Sequence, residues 1–113
     1  MITIDALRAY GADVDKGLNL CMNNEDFYLR MVSMILNEAS FDQLAKAIGD
    51  NDLEEAFKVS HALKGVSGNL ALTPLYDKVE EITELLRAHT QMDYSEMLEG
   101  ILKEKQALEE MAK

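Results

Sequence analysis

Residues Leu53–Leu72 read LEEAFKVSHALKGVSGNLAL, entered through Asp52 and left through Thr73-Pro74. Asp52-Leu53-Glu54-Glu55 has the form of a capping box, in which the first side chain and a Glu three residues on satisfy each other's backbone N–H groups at a helix start. At about 100° per residue, Ala56, Val59, Ser60, Val66, Ser67 and Leu70 gather on one side around Leu63. The stretch is therefore an amphipathic helix with that stripe turned to a core. Proline suits a first helical position and the residue before it resists the α region, so Thr73-Pro74 closes one helix and opens the next.

Gly65 and Gly68 stand against this assignment, since each glycine in a helix interior costs roughly 1 kcal/mol relative to alanine. Close helix packing would place them on the core stripe, and they are not there. They fall on the other side, around His61, together with Phe57, Lys64 and Leu72, because residues three, four, seven and eleven apart share a helix face. Bare backbone at Gly65 and Gly68 leaves the imidazole clear for the close approach of something bulky. Phe57 and Leu72 extend the surface with apolar contact area, and Phe57, Gly65, Gly68 and Leu72 together form a docking face centred on His61.

The rest of the chain repeats the helical pattern. Thr3 caps a short helix that ends before Gly11, and Asp13 caps a second that includes Leu18, Leu20 and Cys21. Asn24 caps a longer segment with Phe27, Met31, Met34 and Ile35 on one side. Ser40-Phe41-Asp42-Gln43 forms a capping box that restarts a helix ending at Gly49, and Asp93-Tyr94-Ser95-Glu96 forms another. The helix after Pro74 carries Leu75, Val79, Ile82 and Leu86, and the last carries Leu98, Ile101, Leu102 and Leu108. No strand or hairpin pattern occurs. The expected fold is all-α: an antiparallel four-helix bundle of segments at about 25–49 with a break near Ser40, 53–72, 74–89 and 94–112, with the two short N-terminal helices across one end.

The chain of 113 residues suits one domain, 1–113, able to bury a core without disulfides. Its one cysteine, Cys21, is expected to be a small buried apolar residue, and two histidines make no zinc-finger ligand pattern. Eleven basic and twenty-one acidic residues give a net charge of −10, which disfavours nucleic acid and anionic lipid partners. MITIDALRAY lacks the basic and apolar regions of a targeting segment, and MVSMIL is too short to span a bilayer. A monomer in the cytoplasm, binding a protein partner or a small ligand, is expected. The seven methionines are expected as core filler, the acidic pairs as solvated helix faces, and His89 as a residue facing a helix C-terminal dipole.

An exposed imidazole carries a lone pair that can attack phosphorus. Lys64, one turn later, can offset charge on the phosphoryl oxygens. There is no GxxxxGK[ST] loop and no kinase glycine-rich loop, so the chain is expected to bind no ATP and to need a partner for transfer.

His61-x-Leu63-Lys64-Gly65-x-Ser67-x-Asn69-Leu70, in a helical chain of this length, resembles the histidine phosphotransfer (HPt) domain of two-component phosphorelays. Asp13-Val14-Asp15-Lys16-Gly17-Leu18 and Glu25-Asp26-Phe27-Tyr28 resemble the family's lead-in. The resemblance implies that His61 is the phosphorylated residue, Lys64 its charge partner and Gly65 the site of closest receiver approach. It also implies a polar side chain on the next helix that steadies the imidazole, for which Glu80 and Thr83 are the candidates. Family members typically have a glycine two residues after the position of Asn69, where this chain has Ala71. The expected function is a carrier, not an enzyme, that relays a phosphoryl group between aspartyl-phosphate receiver domains. Its partners would be response-regulator receivers and hybrid or histidine kinases; it needs no cofactor of its own, the Mg²⁺ coming with the receiver. The alternatives are a helical adaptor that binds a partner through the face around His61 without phosphorylation, and an enzyme using His61 as general base, for which no second catalytic group is evident.

Overall fold

Four of the capping signals act as written. A computed structural model, which describes residues 1–113, contains seven helices and no strand: α1 (Ile4–Tyr10), α2 (Val14–Leu20), α3 (Glu25–Leu36), α4 (Ser40–Gly49), α5 (Leu53–Asn69), α6 (Thr73–Arg87) and α7 (Ser95–Met111). Side chains of Thr3, Asp13, Asn24 and Asp52 each accept a hydrogen bond from the backbone N–H three residues on, at 3.1, 3.3, 3.1 and 3.1 Å. Of the three capping boxes only this half of the Asp52 box forms, the Asp52 N–H donating to Ala47 O at 2.8 Å and not to Glu55, and the other two do not form. Ala39 precedes α4 with φ −67° and ψ −12°, so Ser40 is already helical and its side chain caps nothing. Asp93 accepts from the Ser95 N–H at 2.9 Å, two residues on, in an Asx turn rather than a helix cap.

α4, α5, α6 and α7 make the bundle, α5 packing on α4 and most extensively on α6, α6 on α7, and α7 back on α4. Short connections at 50–52 and 70–72 reverse the chain, so these neighbours run antiparallel. Small buried residues on the α5 stripe, Ala56, Ser60 and Ser67, let the axes come close. The two serine hydroxyls donate within the helix, to Phe57 O at 3.1 Å and to Leu63 O at 2.7 Å, so neither is buried without a partner. Val66, expected on this stripe, is at its edge and 38% exposed.

The expected segment 25–49 is two helices, parted at 37–39, with α3 laid against α7. Its inward side is Tyr28, Val32 and Ile35, whereas Phe27 and Met34, expected inside, are 43% and 52% exposed. Burial of Tyr28 decides this orientation: once the largest side chain of the core is inside, positions four and seven residues on follow it. The methionines are not core filler either. Met1, Met22, Met34 and Met92 are exposed, and Met31, Met97 and Met111 pack only at the margin of a core built from Leu, Ile, Val, Ala, Phe, Tyr and Cys21. Cys21 is buried as expected, and His89 is an exposed residue with φ 57° just past α6.

α1 and α2 lie over the turn that joins α5 to α6. Asp13 N–H donates to Ala71 O at 2.9 Å, and the Tyr28 hydroxyl donates to Leu70 O at 2.9 Å. Gly17 of α2 sits so close to this pair that an added Cβ would stand 2.6 Å from the Tyr28 ring and 2.9 Å from Leu70 O. Burial, and then the nearby Cys21 and Asp13, push the Tyr28 hydroxyl up to about 12. The α5 helix ends here in a Schellman motif, Ala71 N–H donating to Gly68 O and Leu72 N–H to Ser67 O, each at 3.0 Å. Ala71 has φ 55°, the left-handed conformation that glycine adopts without cost. The glycine expected at this position by family resemblance thus corresponds to a backbone need, which alanine meets under strain.

Candidate functional site

His61 lies in the middle of α5, exposed, on the side away from Leu63, which is 2% exposed. One turn before it, the Phe57 ring stacks on the imidazole with centroids 5.7 Å apart and planes 24° apart. Phe57 is half-buried, packed against the core margin, and the Arg87 guanidinium of α6 lies 5.1 Å from its centroid. The ring thus joins the imidazole to the packed interior, and a cation–π contact holds it.

Gly65, one turn after His61, opens onto empty space: an added Cβ would meet nothing within 4 Å. Gly68 does not. Its Cβ would stand 3.0 Å from Cε1 of Tyr76, so the ring of Tyr76, projected from α6, occupies the room the missing side chain leaves. That ring is fixed in turn by a hydrogen bond from its hydroxyl to Glu80 at 2.8 Å, which raises the Tyr76 hydroxyl above its ordinary range. Gly68 is therefore a close-packing glycine between α5 and α6, not open docking surface.

Leu72 is corrected outright. It is fully buried and lies beyond the end of α5. Counting eleven residues from His61 assumes that the helix continues, but the left-handed turn at Ala71 sends the chain inward two residues after Asn69. The two support candidates are also elsewhere engaged. Thr83 is buried and its hydroxyl donates to Val79 O at 2.6 Å, while Glu80 accepts from Tyr76. Neither forms a hydrogen bond to His61, and the stack of Phe57 takes their place as the contact on the imidazole.

Lys64 and His61 border one shallow hollow of about 300 Å³, with Gly65, Gly68, Asn69 and Tyr76 forming the rest of its wall. Lys64 Nζ is 3.2 Å from Glu84 Oε1, and Arg87 Nε is 3.0 Å from Glu84 Oε2. The Lys64 ammonium first, and the Arg87 guanidinium second, hold the Glu84 carboxyl below the usual carboxylate range. A second, larger groove of about 480 Å³ shares Gly68, Asn69 and Tyr76 with the hollow and continues to Lys16 and Leu20 of α2. Tyr76, Glu84, Arg87 and the α2 residues escape a reading of α5 alone. Glu84 and Arg87 at i and i+3 are visible as a pair, but that they face Lys64 follows from how α6 crosses α5.

This arrangement offers a supported, exposed imidazole, an adjacent ammonium and a bare stretch of helix backbone, with no enclosed pocket for a small substrate. No helix is long and apolar enough to cross a membrane. A family model, that of the Hpt domain, matches residues 30–112. The match begins within α3, so the lead-in stretches at Asp13–Leu18 and Glu25–Tyr28 precede it. No curated protein and no solved structure matches the chain.

Proposed function

We propose, since this chain belongs to the Hpt domain family and so serves phosphotransfer in two-component signalling, that it is a cytoplasmic relay carrier in which His61 takes a phosphoryl group from an aspartyl phosphate on one receiver domain and passes it to another. The observation that carries this reading is the exposed imidazole of His61 between a stacked Phe57 and a Gly65 with nothing above it. A nucleophile that must meet a reacting group held on another folded domain needs to stand clear of its own surface, and the empty space over Gly65 supplies that clearance.

In the transfer, a ring nitrogen lone pair attacks phosphorus. An N–P bond forms as the P–O bond to the aspartyl carboxyl breaks, and the bonding pair leaves with the carboxylate while the other ring nitrogen keeps its proton. Passage to the next receiver is the reverse reaction. The receiver brings the carboxylate and Mg²⁺; this chain brings the nucleophile, its orientation and the charge of Lys64.

The test is incubation with a panel of phosphorylated receiver domains and analysis of the label. One acid-labile phosphate per chain is expected at His61, absent from a folded His61→Gln variant and unchanged in His89→Gln. Label that persists in His61→Gln would overturn the assignment. Binding of receivers that survives in His61→Gln, with no label in the parent chain, would favour the adaptor instead.

A further inference from the structure

Two cations border the surroundings of His61, and both are already occupied. Lys64 lines the same hollow as the imidazole, and Arg87 lies over the Phe57 ring on which the imidazole stacks. Glu84 binds them through separate oxygens, Lys64 on Oε1 and Arg87 on Oε2. Lys64 is the more sheltered of its pair, 24% exposed against 50% for Glu84. In the unphosphorylated chain the charge of Lys64 is therefore held on a carboxylate from the neighbouring helix. A phosphoryl group on His61 would compete with that carboxylate for the same ammonium, whose flexible four-carbon stem lets it turn from one to the other. Glu84 loses little when it goes, because its other oxygen remains on Arg87.

We propose that Glu84 is a resting counter-ion for Lys64 that a phosphoryl group on His61 displaces, and that this competition sets how tightly the chain holds the phosphoryl group. The inference rests on the reading of His61 as the acceptor. Glu84 touches no reacting atom and makes or breaks no covalent bond; it is a positioning residue that acts through Lys64. A phosphoryl group with close to two negative charges draws the ammonium more strongly than one carboxylate does. Every encounter still carries the penalty of parting Lys64 from Glu84, so the phosphohistidine is less favoured than it would be beside an unengaged lysine. For a carrier that must give up its group as readily as it accepts it, this penalty favours onward transfer. Exposed ion pairs are weak, so the effect is expected to be roughly two- to fivefold in the transfer equilibrium.

Two measurements on the full chain test this. In the first, His61 is phosphorylated with the small-molecule donor phosphoramidate, and the Lys64 ammonium is followed by nitrogen NMR. The resonance is expected to move on phosphorylation in the parent. In unphosphorylated Glu84→Gln it is expected to have lost already the signature of the pair. In the second, the equilibrium division of label between a charged receiver domain and the chain is measured for the parent, Glu84→Gln, Lys64→Ala and the double variant. Glu84→Gln is expected to shift label roughly two- to fivefold toward phosphohistidine in the parent background and not at all in Lys64→Ala. An equal shift in both backgrounds would mean that Glu84 repels the phosphoryl group directly, and no shift in either would mean that it does nothing; each overturns the proposal, as does a Lys64 resonance that ignores phosphorylation. A chain that takes phosphate from phosphoramidate but from no receiver would sink the relay reading, and the NMR response alone would then decide the exchange. A His61 that accepts from neither source would overturn both.

Discussion

The ring of Phe57 lies 5.7 Å from the ring of His61, one helical turn away and tilted by 24°. An exposed histidine would otherwise sample several rotamers, and on the proposed relay reading each one lost on encounter with a partner would subtract from the transfer rate. The stack narrows that choice before a partner arrives. Because Phe57 also packs against the core margin, the imidazole is placed by the bundle although nothing hydrogen-bonds to it.

Replacement of Phe57 by leucine keeps apolar packing but removes both the stack on His61 and the contact with Arg87. Phosphotransfer is expected to slow by roughly three- to tenfold, the span of a lost aromatic contact, with a small change in melting temperature. Phe57→Tyr should be close to the parent. Initial rates at equal receiver concentration decide the matter, and equal rates for Leu and Phe would remove the stack from the mechanism.

Gly65 and Gly68 are expected to answer differently to the same change. Gly65→Ala should gain up to about 1 kcal/mol of stability, since nothing opposes the new methyl group, and should still hinder transfer by filling the approach path. Gly68→Ala must move the Tyr76 ring, which is held by Glu80, so it should gain less, and Gly68→Leu should be less stable than the parent. Urea unfolding of the three variants checks this order; a Gly68→Leu chain as stable as Gly65→Ala would mean that Tyr76 swings aside freely.

Ala71→Gly relieves a left-handed alanine at the end of α5. The strain is worth about 1–2 kcal/mol, and the loss of a buried methyl group and the greater freedom of the unfolded chain oppose its relief. A net gain of at most about 1 kcal/mol is expected, whereas Ala71→Val should be clearly destabilised. Denaturant midpoints compared at constant m-value measure both, and a Val variant as stable as the parent would remove strain from the account.

Alkaline pH should loosen the clamp on α5. The Tyr28 hydroxyl is raised from its ordinary value near 10 to about 12, by burial first. Its folded value lies above its unfolded one, so its contribution is whole below about pH 10 and is lost as pH rises through about 12. Tyr10, Tyr76 and Tyr94 are raised as well, so all four push the same way. Unfolding free energy measured from pH 8 to 11.5 should fall above pH 10, and less steeply in Tyr28→Phe. Gly17→Ala, which drives a methyl group into Tyr28 and Leu70 O, should cost about 1–3 kcal/mol at neutral pH.

The helices, their order and the outward direction of His61, Lys64 and Gly65 are local properties. Caps at Thr3, Asp13, Asn24 and Asp52 and a 3.6-residue apolar period need only neighbours in the chain, and a short stretch with His61, Lys64, Gly65 and Asn69 was enough to point to the family. Errors arise where a residue's surroundings come from another element. Helical spacing from His61 puts Leu72 outside, but a left-handed Ala71 ends that helix, and α5 by itself leaves Gly68 open because Tyr76 belongs to α6. Periodicity by itself turns Phe27 and Met34 inward, but the buried side of α3 depends on where Tyr28 finds its partner at Leu70, forty-two residues away. The pairing of Lys64 with Glu84 has the same origin. Periodicity settles which way a side chain leaves its own helix, but what it meets there is set by the crossing of two helices, which no local pattern encodes.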